Sequence, residues 1–230
     1  MVKRVVRCPW PTFDDPLYLK YHDEEWGVPV HDDRTIYEFL VLETFQAGLS
    51  WRTVLHKRAA FRAAFAGFSA PRVARFGSRE INRLLKDASI IRNRQKILAA
   101  INNANRFLNV QQEFGTFARY MWSWVNHRPF VHRFRGLKDY PPFIDQAVAW
   151  SKDLKQRGFS FLGPTVVYAH MQAVGMVNDH TTNCFRYREV GEETVGARDR
   201  ASRGIARALH ANPSFGGLSP SQRVRARSES

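Results

Sequence analysis

Cysteine, acidic side chains and long apolar runs are all scarce in this chain of 230 residues. Only two cysteines occur, Cys8 and Cys184, so a disulfide-rich secreted scaffold is excluded and thiols or metal ligands are expected instead of a disulfide. No apolar run is long enough to span a membrane, and Met1 to Trp10 lacks the apolar core of a signal peptide. These absences favour a cytoplasmic protein with no membrane partner.

The charge balance is strongly basic. Lysine and arginine number 35 against 21 acidic residues, which gives a formal net charge of +14. Such an excess indicates a polyanionic partner, because basic side chains bound to phosphates release condensed counterions. A basic surface that only keeps the protein in solution is the alternative. A nuclease is disfavoured, since the sequence shows no carboxylate cluster suited to magnesium.

Apolar residues recur at three- and four-residue intervals and strand signals are few, so the sequence predicts an all-α domain. Asp32 or Asp33 is a plausible N-cap of one helix and Ser50 of the next, while Gly48 and Gly175 are plausible stops. The predicted helices cover residues 17–22, 33–48, 50–65, 78–88, 93–108, 117–125, 144–156 and 164–175, with a loop over 128–142.

The helical pattern fails after Arg188. Glycine, serine, arginine and proline dominate from there, so residues 189–230 are predicted to form a flexible basic tail. A poorly ordered end without function is favoured over a dedicated DNA-binding arm.

Two cysteines and two histidines lie at opposite ends of the predicted domain. Cys8 and His22 are near its start, and His180 and Cys184 are spaced as His-x3-Cys near its end. This ligand set suits tetrahedral zinc, which would clamp the two segments together. Four protein ligands leave no open position for water, which argues against a zinc hydrolase acting on a small molecule. Two buried thiols with two unrelated histidines remain the alternative.

Glu43 is placed close to the apolar face of its predicted helix. A carboxylate there is costly to bury unless it gains a hydrogen-bonding partner or a ligand. Four aromatic residues are near in sequence: Tyr18, Tyr21, Trp26 and Trp51. Such a set beside a carboxylate can hold a planar nucleobase, with stacking worth on the order of 1–3 kcal/mol per base. A solvent-facing glutamate and aromatics that only fill the core are the alternatives.

The break between the helices predicted over 78–88 and 93–108 has the outline of a helix–hairpin–helix. Backbone N–H groups at a helix start bind phosphate without reading sequence. Ser89 occupies a position where such hairpins usually have glycine, and an ordinary turn with solvated basic residues is the alternative. The candidate DNA-binding residues here are Ser89, Ile90, Ile91, Arg92, Arg94 and Lys96.

Several motifs occur in order along residues 8–188. They are Cys8-x-Trp10, Asp15 to Tyr18, Tyr21 to Pro29, Leu42-Glu43 through Trp51, Asp87 to Ile97, Trp122 to His127, Lys155 to Phe159 and Met171 to His180. Together they resemble the 3-methyladenine DNA glycosylase I family. The resemblance implies a helix–hairpin–helix glycosylase fold in which residues 1–188 form two helical lobes around a base-binding cleft. It also implies a structural zinc site that joins the N- and C-terminal segments.

The resemblance further implies roles for individual residues. The implied zinc ligands are Cys8, His22, His180 and Cys184. The implied base-binding residues are Tyr18, Tyr21, Glu43 and Trp51, of which Glu43 and Tyr21 are also the candidate catalytic residues.

The family lacks the catalytic aspartate of most helix–hairpin–helix glycosylases, and no lysine nucleophile is evident here. We therefore expect a monomeric, monofunctional enzyme that releases 3-methyladenine from alkylated double-stranded DNA without strand cleavage. We also expect Leu49 to enter the gap left by the rotated base. A non-catalytic DNA-binding module of the same fold is the alternative.

Overall fold

The computed structural model describes residues 5–11 and 14–191. Of the predicted tail, residues 192–230 lie outside the described residues. Residues 185–191 are helical and bury Val190, so helical structure continues past the Arg188 limit of the sequence pattern.

The described residues are mostly helical, which confirms the predicted all-α class. The helices are α1 (Pro16–Glu24), α2 (Asp33–Gln46), α3 (Trp51–His56), α4 (Arg58–Ala64), α5 (Ala70–Val73), α6 (Ser78–Lys86), α7 (Arg94–Phe114), α8 (Phe117–Ser123), α9 (Asp145–Gln156) and α10 (Pro164–Ala173). Short 3-10 helices form at Ala66–Phe68 and Leu137–Asp139. Among the described helices, none is both long enough and apolar enough to cross a membrane.

Predicted caps and stops fall at the ends of these helices. The Asp32 carboxylate accepts a hydrogen bond from the Thr35 N–H at the start of α2, and the Ser50 hydroxyl accepts one from the Thr53 N–H in α3. The predicted helix over 50–65 is instead two helices, because the chain breaks at Lys57. Helix α7 continues six residues beyond the predicted end and stops at Gly115, whose φ is +85°.

The stretch predicted as a loop over 128–142 carries one short strand. Strand β1 (Phe130–Val131) pairs in parallel with β2 (Val177–Asn178), with Phe130 opposite Val177. This pairing fixes the loop against the segment that follows α10.

Helix α2 forms the centre of the fold. It packs on α3, α7, α8 and α10, and every residue from Ile36 to Phe45 is buried. Two glutamates are therefore inside the protein. The carboxylate of Glu38 is paired with Arg58 at 2.5 Å and with Arg62 at 2.8 Å. Glu43 has no such ion pair and faces a cavity.

Gly175 closes the end of α10 against the segment after α1. Its φ is +71°, and a Cβ there would be 2.4 Å from backbone atoms of Val28 and Pro29. The Gly27 N–H donates to the Gln172 carbonyl nearby. Only glycine permits this approach, which brings the two segments that carry the Cys/His pairs together.

Candidate functional site

A cavity of about 220 Å³ opens among α1, α2, α3 and α10. The 3-10 helix Leu137–Asp139 contributes at its mouth, where Leu137 is 57% exposed. The lining residues are Trp10, Tyr18, Tyr21, Trp26, Glu43, Gln46, Trp51, Leu137, Tyr140, Ala169 and Gln172. The structure thus brings all four predicted base-binding residues to one cavity.

Glu43 is the one acidic side chain in the lining. It is 3% exposed, and within the described residues its carboxylate accepts no hydrogen bond. Burial raises the pKa of Glu43 to about 8. The alternative of a solvent-facing glutamate does not hold, and its burial favours the neutral acid near pH 7.

Aromatic rings form much of the wall around Glu43. The ring centroids of Tyr21 and Trp51 are 5.1 Å apart, and those of Trp10 and Tyr18 are 5.2 Å apart. The indole N–H groups of Trp10 and Trp51 are buried without a partner in the described structure. The wall therefore offers flat π surfaces, which suit a planar ring.

Asp15 connects two of the elements that form this wall. Its buried carboxylate accepts hydrogen bonds from the Tyr18 N–H at the start of α1 and from Arg52 and His56 on α3. These partners, His56 first, hold the pKa of Asp15 below its usual range. Tyr18 and Tyr21 on α1 are thereby fixed relative to Trp51 on α3.

The four predicted metal ligands form one buried cluster. The ligand atoms of Cys8, His22, His180 and Cys184 all lie within 4.8 Å of one another. The Cys8 sulfur is 3.4 Å from Nδ1 of His180, and the Cys184 sulfur is 3.6 Å from Nε2 of His22. Both cysteines are free thiols, so the expectation of no disulfide is confirmed. The cluster can hold a metal ion.

The second nitrogen of each histidine faces an oxygen. Nδ1 of His22 is 2.8 Å from the Asp23 carboxylate, and Nε2 of His180 is 3.0 Å from the Trp26 carbonyl. These contacts leave the unprotonated nitrogens pointing into the cluster, as metal binding requires. Trp26 also lines the cavity, so the cluster directly supports one wall of it.

The predicted hairpin is a turn between α6 and α7. Asp87 accepts a hydrogen bond from the Ser89 N–H, and the Lys57 ammonium donates to the Ser89 carbonyl at 3.0 Å. Ile90 is buried, and its N–H donates to the Asp87 carbonyl at 3.4 Å. Arg92 and Arg94 are exposed, with no ion pair in the described structure.

Lys96 is buried, although its position in the basic run predicted an exposed side chain at the DNA surface. The residue is 7% exposed, and its ammonium donates to the carbonyl oxygens of Phe45 and Ala47 at the end of α2. Its charge therefore faces the protein interior. Leu49 is two residues after Ala47, on the turn between α2 and α3, and it is 43% exposed.

Several lining residues were not predicted from the sequence. They are Trp10, Gln46, Leu137, Tyr140, Ala169 and Gln172. Trp10 and Gln172 stand inside motifs that carry the family resemblance, and that was the only signal pointing to them. Tyr140 reaches the cavity from a stretch that has no helical or strand periodicity.

Comparison with known proteins gives concordant matches. The methyladenine glycosylase family model matches residues 10–187. The chain is 46% identical to DNA-3-methyladenine glycosylase 1 of Escherichia coli K12, over 79% of this chain and 96% of the relative. It is 40% identical to DNA-3-methyladenine glycosylase of Haemophilus influenzae, over 77% of this chain and 96% of the relative.

Solved structures agree in fold as well as in sequence. A crystal structure of 3-methyladenine DNA glycosylase I matches with a TM-score of 0.76 at 46% identity, covering 78% of this chain and 98% of the other. A variant of such an enzyme in complex with 3-methyladenine matches with a TM-score of 0.73 at 38% identity, covering 74% of this chain and 92% of the other.

Proposed function

Because this chain belongs to the methyladenine glycosylase family, we propose that it hydrolyses the N-glycosidic bond of 3-methyladenine in alkylated DNA. It is a monofunctional DNA glycosylase of base excision repair. One observation carries the assignment of its site: the Glu43 carboxylate is buried without a partner in a cavity walled by aromatic rings.

The cavity selects a cation. Methylation at N3 gives the adenine of the nucleotide a positive charge, which π faces and a carboxylate both favour. The pKa of about 8 means that the empty site holds Glu43 mostly as the acid at pH 7. A bound cation favours ionisation, so binding the lesion expels that proton to solvent. Unmodified adenine is neutral and gains none of this stabilisation.

Cleavage then needs little further assistance. The C1′–N9 bond breaks, and its electron pair neutralises the cationic ring, so the base leaves as neutral 3-methyladenine. Water adds to C1′ of the sugar and loses a proton to solvent. Ionised Glu43 stabilises the positive charge as it moves from the base toward the sugar. The neutral product no longer pairs with the carboxylate, which favours its release.

The aromatic rings and the Glu43 carboxylate recognise different features of the base. The rotated base stacks between Trp51 and the tyrosines Tyr18 and Tyr21, with stacking worth roughly 1–3 kcal/mol. Glu43 accepts a hydrogen bond from the exocyclic amino group of adenine. Guanine has a carbonyl at that position and offers no hydrogen to the acceptor.

We assign zinc to the Cys/His cluster. A tetrahedral site with zinc–sulfur bonds of about 2.3 Å and zinc–nitrogen bonds of about 2.05 Å has sulfur–nitrogen edges of about 3.6 Å. The distances of 3.4 and 3.6 Å between the cysteine sulfurs and histidine nitrogens fit those edges. When bound, the ion supplies structural cross-linking and no catalytic water, since all four ligands come from the protein.

DNA is held at its phosphates by the turn between α6 and α7. The exposed Arg92 and Arg94 supply positive charge there, and the Ile91 N–H is the backbone donor of the Ser89–Ile91 stretch that bonds to no other group of the described residues. Leu49 is exposed beside Trp51 and fills the gap left by the rotated base. We assign Lys96 a structural role instead of phosphate binding, because its ammonium is used by two carbonyls.

The decisive experiment compares wild type, Glu43→Gln and Glu24→Gln on methylated duplex DNA. Glu43→Gln keeps the shape of the side chain and removes its charge, so excision of 3-methyladenine should fall by about two to three orders of magnitude. Glu24 is exposed on α1, and its variant should excise as wild type does. The assay identifies the released base by chromatography.

Two results would overturn the assignment. Wild-type protein that binds methylated DNA but releases no base would be a binding module of the same fold. A Glu43→Gln variant that excises as fast as wild type would remove Glu43 from the mechanism. Retained duplex affinity in that variant separates loss of chemistry from loss of folding.

A further inference from the structure

Gln172 on α10 presents an oriented amide to the cavity. Its Nε2 donates to the Asp179 carboxylate at 2.8 Å. The Asp179 side chain is fully buried, and it also accepts hydrogen bonds from the Tyr168 hydroxyl and from Nδ1 of His132. A carboxylate in that network only accepts, so the amide nitrogen must face it.

The opposite end of the same amide is the oxygen. Among the described residues nothing donates to Oε1 of Gln172, although the residue lines the cavity together with Glu43. The cavity therefore contains two acceptor side chains, one a carboxylate and one an amide oxygen that cannot exchange places with its nitrogen without opposing Asp179.

We propose that Gln172 is a specificity-determining residue that accepts the second hydrogen of the exocyclic amino group of the base. This inference rests on the proposed function, in which Glu43 accepts the first hydrogen. An exocyclic amino group has two hydrogens, and two acceptors satisfy both. A purine with a carbonyl at that position would place an acceptor against the amide oxygen of Gln172, which has no hydrogen to donate.

Asp179 is the positioning residue for this contact. Its backbone carbonyl accepts the hydroxyl of Tyr140 at 2.8 Å, so it anchors a second lining side chain as well. It also directly precedes His180 of the metal cluster. The amide of Gln172 is thereby held by a buried carboxylate on the segment that also carries a ligand of the metal cluster.

Equilibrium binding of two free bases tests the proposal. The probes are 3-methyladenine and 3-methylpurine, which lacks the amino group, titrated by quenching of tryptophan fluorescence. Gln172→Met should weaken binding of 3-methyladenine about tenfold. Its affinity for 3-methylpurine should change less than twofold. If Gln172→Met does not fold, Gln172→Ala is measured in its place.

Gln156→Met is the matched control, because it makes the same substitution at an exposed residue of α9 outside the lining. It should keep the wild-type preference for 3-methyladenine. Equal weakening of both bases in Gln172→Met, or the same loss in Gln156→Met, would overturn the role of Gln172. Wild-type protein that neither prefers 3-methyladenine nor releases it from DNA would instead overturn the proposed function.

Discussion

Helix α2 buries two carboxylates, those of Glu38 and Glu43, which have different roles. They are five positions apart on α2, and both are nearly inaccessible to solvent. Glu38 is neutralised by Arg58 and Arg62 and so contributes to packing. Among the described residues Glu43 has no counterion, so a cationic ligand stabilises its ionised form and a neutral ligand does not.

The raised pKa of Glu43 predicts the pH dependence of catalysis. Only the ionised form favours the cationic base, and kcat/KM reports the ionisation of the free enzyme. We expect kcat/KM for 3-methyladenine release to rise with pH, by about tenfold per unit, and to level off above the pKa of about 8. The measurement is a set of excision rates from pH 6 to 9.

Glu43→Gln is the control for that profile, because its residual activity should lack the rise. A wild-type rate that falls above pH 8 would identify the neutral acid as the active form. The fold must stay intact over this range, which circular dichroism at each pH checks.

At the level of single residues, sequence patterns identified side chains that are close to one another along the chain or lie in motifs. Glu43 was predictable because it interrupts an apolar face. Tyr140 was not, because it lies outside every motif and approaches Glu43 only through tertiary packing. Lys96 was misplaced because a basic run does not reveal which member turns inward to meet carbonyl groups.

Among the helices, the contact between α7 and α2 depends on Lys96. Its ammonium satisfies two carbonyls at the end of α2, directly before the exposed Leu49 turn. Lys96→Met should therefore lower the free energy of unfolding by roughly 2 kcal/mol. It should leave the salt dependence of DNA binding unchanged. Urea unfolding and DNA titrations at several salt concentrations measure the two effects.

Arg92→Ala is the counterpart on the same turn. It should leave stability nearly unchanged and reduce the slope of log K against log salt by about 0.9 for one lost phosphate contact. If the two variants exchanged these effects, the assignment of Lys96 to the interior and Arg92 to DNA would be wrong.

The end of α10 is controlled by Gly175. An added Cβ would meet the backbone of Val28 and Pro29, so Gly175→Ala should lower the free energy of unfolding by at least ~2 kcal/mol. Gly115 has a similar positive φ but open space around it. Gly115→Ala should cost only about 1 kcal/mol. Equal losses in urea unfolding would contradict a steric role for Gly175.

Helix boundaries were predictable where a cap or a glycine marks them and not where tertiary contacts decide. Asp32, Ser50 and Gly175 act as their residue types suggest. The break at Lys57 has no such local mark, because that residue ends α3 where its side chain reaches the turn after α6. The strand pairing of Phe130 with Val177 is equally invisible to local periodicity.

For the whole molecule, the Cys/His cluster predicts a dependence of folding on metal. Purified protein should contain about one zinc per chain, measured by mass spectrometry. Stripping it with a chelator, or introducing Cys184→Ser, should lower the Tm, because the ion joins residues near both ends of the described domain. Zinc should restore the Tm of the stripped protein and magnesium should not. A Tm that is the same with and without metal would contradict a structural ion.

The residues that line the cavity come from both ends of the described chain and are therefore synthesised at different times. Tyr18 and Tyr21 leave the ribosome early, whereas Gln172 and the partners that fix it emerge some 150 residues later. A growing or prematurely ended chain therefore has Glu43 and Trp51 without the part of the cavity wall that α10 supplies. The complete cavity therefore exists only after α10 has been synthesised and has packed against α2.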